Sequence, residues 1–175
     1  MIHVACTIAY DGSRFEGFAP QPSPFVTVVG EIEKALCAVG VTQKVLGAGR
    51  TDKGVHATGQ VIGFPLPHFW KDRLDNLKER LNRYLFPSIL IKSITPVSET
   101  FHPRFSAQSR TYRYLLTDKS LTPFQAPYIT YVPYLNREKI IASTPLFQGD
   151  HDFEFFKKHD DIIGTYRRTM FKSFE

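Results

Sequence analysis

The segment GAGRTDKGVHATG, residues 47–59, has the composition of a loop that performs chemistry. Its four glycines permit left-handed turns and a close approach of a ligand to the backbone, at an entropic cost that a simple connection does not need. Arg50 and Asp52 are separated by one residue, so both side chains project to one face of an extended loop and can pair. Such a pair would keep the carboxylate ionised. The alternative is an ordinary exposed turn with a surface ion pair.

The sequence lacks the patterns of several common sites. Neither GxxxxGK[ST] nor GxGxxG occurs, so this segment is not a nucleotide-binding glycine loop of either kind. The six histidines are scattered without the spacing of metal ligands, and no metal site is predicted. One of them, His56, lies inside the glycine-rich segment. It either orients the loop or is an ordinary hydrogen-bonded histidine.

A second segment, residues 101–117, combines positive charge with aromatic rings and contains no acidic residue. Its arginines are Arg104, Arg110 and Arg113. This mixture suits an RNA cleft, with guanidinium groups for phosphates and rings for bases, although a solvated strand face has a similar composition. Arg14 and Lys53 are further candidates for phosphate contacts. The whole chain has 22 Lys and Arg against 17 Asp and Glu, and the net charge of +5 favours a polyanionic partner.

Hydrophobic periodicity predicts the elements that must position these residues. Period-2 alternation predicts strands, helical spacing predicts helices, and Thr27 is the expected cap of the first helix. The predicted strands are 3–10, 44–46, 60–64, 89–94, 109–117 and 167–175, and the predicted helices are 28–39, 69–85 and 136–147. Adjacent strands are too frequent for a pure βαβ array, so the order predicts an α+β fold with a largely antiparallel sheet flanked by helices.

Composition places the chain among ordinary globular proteins, with 42% hydrophobic and 22% charged residues. No apolar run approaches the ~18 residues of a membrane span, and the N-terminus lacks the pattern of a secretory signal. A cytoplasmic protein is the expectation. Cys6 and Cys37 are too few for a disulfide framework and are expected to be buried, reduced thiols.

The stretch GAGRTDKGVHATGQV resembles the catalytic motif of the tRNA pseudouridine synthase A family. Further stretches resemble other family motifs in the expected order: AYDGSRFEGF, TVVGEIEKAL, FHPRFSAQSRTYRYLL and FQGDHDFEFF. Several separate motifs in order are far more specific than one short pattern. The resemblance covers essentially the whole chain. It implies the pseudouridine synthase fold, in which a central cleft binds RNA.

The resemblance also implies roles for individual residues. Asp52 would be the nucleophilic carboxylate, Arg50 would pair with it, and Tyr112 would contact the target base. Tyr114, which alternates with it on the same strand, would belong to the core. The reaction breaks an N-glycosidic bond and rejoins the base through carbon, so no cofactor is expected.

The function that the resemblance implies is isomerisation of uridine to pseudouridine in the anticodon stem-loop of tRNA, by a homodimer. Residues 1–100 would form a catalytic lobe, and residues 101–175 would begin a second lobe. Family members usually continue beyond the point that matches Glu175, so a fragment or shortened variant is expected. A non-catalytic RNA-binding fragment is the alternative. A glycosidase of small nucleosides is a weaker one, since the usual mechanism needs two carboxylates and this loop offers one.

Overall fold

The structure of the chain, a computed structural model, describes residues 1–156 and 166–173. It contains two compact units. Unit 1 consists of Met1–Tyr114 together with Pro123–Tyr128, and unit 2 consists of Leu115–Thr122 and Ile129–Glu175. The structure therefore divides the chain at a different place from the boundary expected at residue 100, and the catalytic role of the first lobe stays a prediction.

Unit 1 contains a four-stranded antiparallel sheet, as the alternating patterns predicted. Its strands are β1 (Ile2–Tyr10), β2 (Leu46–Gly47), β3 (Ala57–Leu66) and β4 (Ile89–Val97). Their order in the sheet is β2-β3-β1-β4, so β1 is central and Cys6 lies opposite both Ile62 and Ile94. Alternate residues of β1 are buried, because one face of the sheet contacts the core.

Two helices, α1 (Val28–Ala38) and α2 (Leu74–Leu85), share this core with the sheet. Helix α1 begins where predicted, because the Thr27 hydroxyl accepts a hydrogen bond from Gly30 N at 3.2 Å. The prediction that the second helix starts at residue 69 is wrong. A 3₁₀ turn, His68–Trp70, precedes α2 and buries Trp70. The spacing of Trp70 therefore matches that of a buried helical residue, although this residue is not part of α2.

Unit 2 has smaller elements. Its described residues form the strands β5 (Leu116–Thr117), β6 (Thr130–Tyr131), β7 (Gly149–Asp152) and β8 (Arg167–Met170) and the helix α3 (Arg137–Ser143). β5 pairs with β6 in parallel, and β7 pairs with β8 antiparallel. The helix predicted over 136–147 ends earlier, because a 3₁₀ turn containing Pro145 replaces its last part.

The strand predicted over 109–117 is largely absent. Among the residues that the structure describes, only Leu116 and Thr117 of this segment have a partner strand. The prediction that Tyr114 belongs to the core is wrong, since its side chain is 84% exposed. An extended segment becomes a strand only when a neighbouring strand completes its backbone hydrogen bonds. Alternation along the sequence does not show whether such a neighbour is present.

Cys6 is buried in β1, as expected, whereas Cys37 is exposed on α1. The expectation of a buried thiol is therefore wrong for Cys37. Cys37 lies on the outer face of α1, away from the stripe of that helix that reaches the core. No helix within residues 1–156 and 166–173 is long and apolar enough to cross a membrane.

Candidate active site

The glycine-rich loop, residues 48–56, connects β2 to β3 in unit 1. Both of its ends belong to the sheet: Ala48 N donates to Val61 O at 2.8 Å, and Ala57 begins β3. Next to the first of these bonds, Gln60 Nε2 donates to Gly49 O at 2.7 Å. The loop therefore leaves and re-enters the sheet at fixed backbone positions.

Thr51 holds the first half of the loop in place through two hydrogen bonds. Its carbonyl accepts a hydrogen bond from Phe18 N at 3.0 Å, and its hydroxyl lies 2.8 Å from the hydroxyl of Tyr10 at the end of β1. Burial raises the pKa of Tyr10, while hydrogen bonds with Thr51 and Gln60 oppose the rise. The phenol is therefore neutral at physiological pH and fixes the residue between Arg50 and Asp52.

Asp52 is the first residue of a tight turn. Val55 N donates to Asp52 O at 3.2 Å, and Gly54, the third residue of the turn, has a φ of +80°. This is the backbone of a type II turn, in which glycine at the third position avoids the strain that a side chain would create. The side chain of Asp52 is exposed. The turn thus presents a carboxylate to solvent from a backbone that hydrogen bonds define.

The turn after β1 packs against the second half of the loop. A Cβ atom on Gly12 would lie 2.0 Å from Val55 O, so only glycine fits at this position. Gly12 N also donates to His56 Nδ1 at 3.1 Å. The loop is consequently held on both sides of Asp52, by Thr51 before it and by Val55 and His56 after it.

The predicted ion pair between Arg50 and Asp52 is not present. Within the described part of the chain, no salt bridge joins these two side chains, and both are exposed. Their spacing predicted a shared face, but exposed charges compete with water, and pairing gains little free energy there. The inward hydrogen bond of Thr51 explains why its two neighbours face solvent.

Two of the predicted phosphate contacts lie near the loop on the surface of unit 1. Lys53 Nζ lies 2.8 Å from Glu16 Oε1, in an exposed ion pair. Arg14 is exposed at the end of the 3₁₀ turn Gly12–Arg14. Neither basic side chain contacts Asp52 in any hydrogen bond or ion pair between described residues.

The predicted basic segment contributes one direct contact to the loop. Arg110 Nη2 donates to Ala48 O at 2.8 Å and to Arg104 O at 3.2 Å, so the structure brings the two arginines together. The Arg104 guanidinium lies 5.7 Å from the centre of the exposed Phe105 ring. Tyr112 is 68% exposed and has no hydrogen bond to the loop among described residues.

Several residues that shape this site were not predicted from the sequence. They are Tyr10, Gly12, Phe18 and Gln60. A Cβ atom on Gly47 would lie 2.3 Å from Phe18 Cε1, so this glycine makes room for a buried ring. Their roles depend on contacts between distant parts of the chain, which spacing does not show. No cluster of three or more His, Cys, Asp or Glu side chains suited to a metal ion occurs within the described residues.

Curated proteins with similar sequences align with almost the whole of this chain. A tRNA pseudouridine synthase A of Helicobacter hepaticus (strain ATCC 51449 / 3B1) is 43% identical over 168 residues, which cover 94% of this chain and 68% of the relative. Proteins of the same name from Helicobacter pylori (strain P12) and Helicobacter acinonychis (strain Sheeba) are 44% and 42% identical over 168 residues. In both cases the match covers 96% of this chain and 67% of the relative. No family model matches the chain.

These relatives are RNA pseudouridine synthases, a class of isomerases, and the 168 matched residues span all but the ends of this chain. Within this class, the chain belongs to the tRNA pseudouridine synthase A family. It spans about two thirds of the length of these relatives. The α+β architecture with an antiparallel sheet is compatible with that membership.

Proposed function

We propose that this chain isomerises uridine to pseudouridine in tRNA, with Asp52 as the nucleophile. The observation that carries the proposal is the presentation of Asp52. Its carboxylate is exposed on a turn whose flanking residues are fixed on both sides by hydrogen bonds and close packing. A reactive group held on such a backbone loses little entropy when the substrate arrives. The relatives' printed name supports the choice of reaction.

The reaction moves one bond and exchanges one proton. The bond between uracil N1 and ribose C1′ breaks, the uracil rotates, a bond forms between C5 and C1′, and the proton on C5 leaves to solvent while N1 gains one. Asp52 either attacks C1′ or assists elimination to a glycal, and both routes regenerate the free carboxylate. Since no electrons are gained or lost overall, the reaction needs no redox group.

The neighbouring side chains have roles that suit their exposure. The ring of Tyr112 is available to stack on a base that has been extruded from the RNA. The exposed Arg50 guanidinium would occupy the space that the base leaves in the helix. Arg104, Arg110, Lys53 and Arg14 would contact phosphates. Arg110 already donates to two carbonyl oxygens, but a guanidinium has five N–H groups and retains others for a phosphate.

The finer parts of the proposal concern the substrate region and the assembly. The anticodon stem-loop would be the region of tRNA that is modified, and a cytoplasmic homodimer would be the active form. Isolated stem-loops compared with whole tRNA test the first point, and light scattering of the purified chain tests the second. A monomer that retains activity would remove the homodimer from the proposal.

The test of the function is tritium release from tRNA that contains 5-tritiated uridine. The parent chain is expected to release tritium, and Asp52→Asn is expected to release none while binding tRNA with nearly unchanged affinity. Asp72→Asn is the matched control, since Asp72 is also an exposed aspartate, outside the loop. Equal release by parent and Asp52→Asn would overturn the role of Asp52. Binding of tRNA without release by the parent would indicate an RNA-binding module.

A further inference from the structure

The His56 side chain contacts residues from two other segments of unit 1. Gly12 N donates to His56 Nδ1 at 3.1 Å, and His56 Nε2 lies 2.8 Å from Pro127 O. The imidazole also packs on the ring of Tyr128, with 4.8 Å between ring centres. Nδ1 also lies 3.1 Å from Asp11 Oδ1, so the ring contacts the turn after β1 at two points and segment 123–128 through its other nitrogen.

Asp11 completes the group from the other side. Its carboxylate accepts hydrogen bonds from Ser13 N at 3.0 Å, from the Ser13 hydroxyl at 2.7 Å and from the Tyr128 hydroxyl at 3.0 Å. Burial raises the pKa of the Asp11 carboxyl, but the hydrogen bonds and the electrostatic effect of the adjacent His56 outweigh burial and leave the pKa below its usual value. The same bond to Asp11 raises the pKa of Tyr128. Asp11 is thus a charged acceptor and Tyr128 a protonated donor.

The segment 123–128 has an unusual place in the chain. It belongs to unit 1, although the residues directly before and after it belong to unit 2. Pro127 and Tyr128, at its end, contact the turn after β1 and the end of the glycine-rich loop through His56 and Asp11. We call the group of Asp11, Gly12, His56, Pro127 and Tyr128 the clasp.

We propose that the clasp holds the end of the glycine-rich loop in place for catalysis, and that His56 is its positioning residue. The inference rests on the proposed function of the loop. His56 is four residues from Asp52, and the Asp52–Val55 turn lies between them. Close packing of Gly12 on Val55 means that a change at His56 is transmitted to the turn. A displacement of about 1 Å at a reacting group can cost about 100-fold in rate.

Three variants of His56 separate the contacts. His56→Phe keeps a ring for Tyr128 and loses the polar contacts with Gly12, Pro127 and Asp11. His56→Asn restores an oxygen acceptor near the position of Nδ1 for Gly12 N, and His56→Gln restores a donor near Nε2 for Pro127 O. His68→Phe is the matched control, because His68 is exposed in the same unit and lies outside the clasp.

Two measurements on the full chain test the proposal. The first is the single-turnover rate of tritium release at saturating tRNA, together with tRNA affinity. We expect His56→Phe to lower the rate between about tenfold and about 100-fold with affinity changed less than about twofold, and His56→Asn and His56→Gln each to recover part of the rate. An unchanged rate in a folded His56→Phe chain would overturn the positioning role.

The second measurement is hydrogen exchange of the peptides that cover 9–18 and 48–60, which requires no activity. His56→Phe is expected to accelerate exchange in both peptides, His56→Asn to accelerate it less, and His68→Phe to leave it unchanged. Unchanged exchange in His56→Phe would overturn the clasp. If the parent chain releases no tritium, the proposed function fails, and this second measurement alone decides whether the clasp exists.

Discussion

At the scale of single residues, glycines and the contact between the Tyr10 and Thr51 hydroxyls define the loop that presents Asp52. Gly12 and Gly47 lie where a side chain would overlap backbone or a buried ring, and the Tyr10 hydroxyl fixes Thr51. The composition of the loop predicted a functional site from its glycine density alone. The sequence could not reveal the Tyr10 contact, since that residue is 41 positions away along the chain.

Gly12 tests the packing between the β1 turn and the loop. Gly12→Ala places a Cβ atom 2.0 Å from Val55 O, so the backbone must shift. We expect a loss of about 1–3 kcal/mol in the free energy of unfolding, measured with urea, and a greater proportional loss of tritium release. Gly59→Ala is the control, since its Cβ would meet no atom within 4 Å. Equal effects of the two substitutions would contradict this packing.

The two cysteines differ in reactivity because they differ in burial. Burial raises the pKa of the Cys6 thiol to about 12, whereas Cys37 is exposed. A thiol reagent at neutral pH is expected to label the folded chain once, at Cys37, and to label both cysteines after denaturation. Peptide mass mapping identifies the labelled position. Labelling of Cys6 in the folded chain would mean that the centre of the sheet opens.

Arg50 and Asp52 were predicted to pair from their spacing, and no ion pair between described residues joins them. Alternation predicts that both side chains face the same side, and in the structure both are exposed while Thr51 between them bonds to Tyr10. It does not determine whether the two charges meet, which depends on rotamers and on competition with water. Arg50 is therefore free of Asp52 in this structure, as a residue that moves into vacated space would need to be.

At the scale of elements, the patterns predicted most of unit 1. The alternation of β1 and β4 and the capped helix α1 were recognisable because each has one face on a shared core. The strand predicted over 109–117 failed because a strand also needs a neighbour, and only Leu116 and Thr117 pair with β6. Partners separated by long stretches of chain are not encoded in local periodicity.

Strand β4 offers a matched test of this alternation. Ile91 is 2% exposed and lies opposite Ile8 of β1, while its neighbour Leu90 is 44% exposed. Ile91→Ala is expected to cost about 2–5 kcal/mol in the free energy of unfolding, and Leu90→Ala much less, since only the first leaves a cavity. Similar costs at the two positions would contradict the burial of one face of the strand only.

At the scale of the whole molecule, charge and sequence identity point to the same kind of substrate. The net charge of +5 favours a polyanion without identifying it, and the relatives' name specifies tRNA. The division into two units was not predictable from composition, because segment 123–128 belongs to unit 1 while its neighbours in the chain belong to unit 2.

Salt dependence tests the contribution of Arg104 to tRNA binding. If Arg104 contacts a phosphate, Arg104→Ala should weaken binding and reduce the slope of log affinity against log salt concentration by about 1. Arg83→Ala on α2 is the control and is expected to leave the slope unchanged. Filter binding over a range of potassium chloride concentrations measures both slopes. An unchanged slope for Arg104→Ala would remove this residue from the RNA interface.

The most direct test of the central claim is to identify the product. After incubation of the chain with unmodified tRNA, the RNA is digested to nucleosides and separated by chromatography. We expect pseudouridine to appear as uridine disappears in equal amount, with the parent chain and with Asp72→Asn but not with Asp52→Asn. Pseudouridine made equally by Asp52→Asn, or none made by a parent chain that binds tRNA, would contradict the claim that this loop carries the reaction.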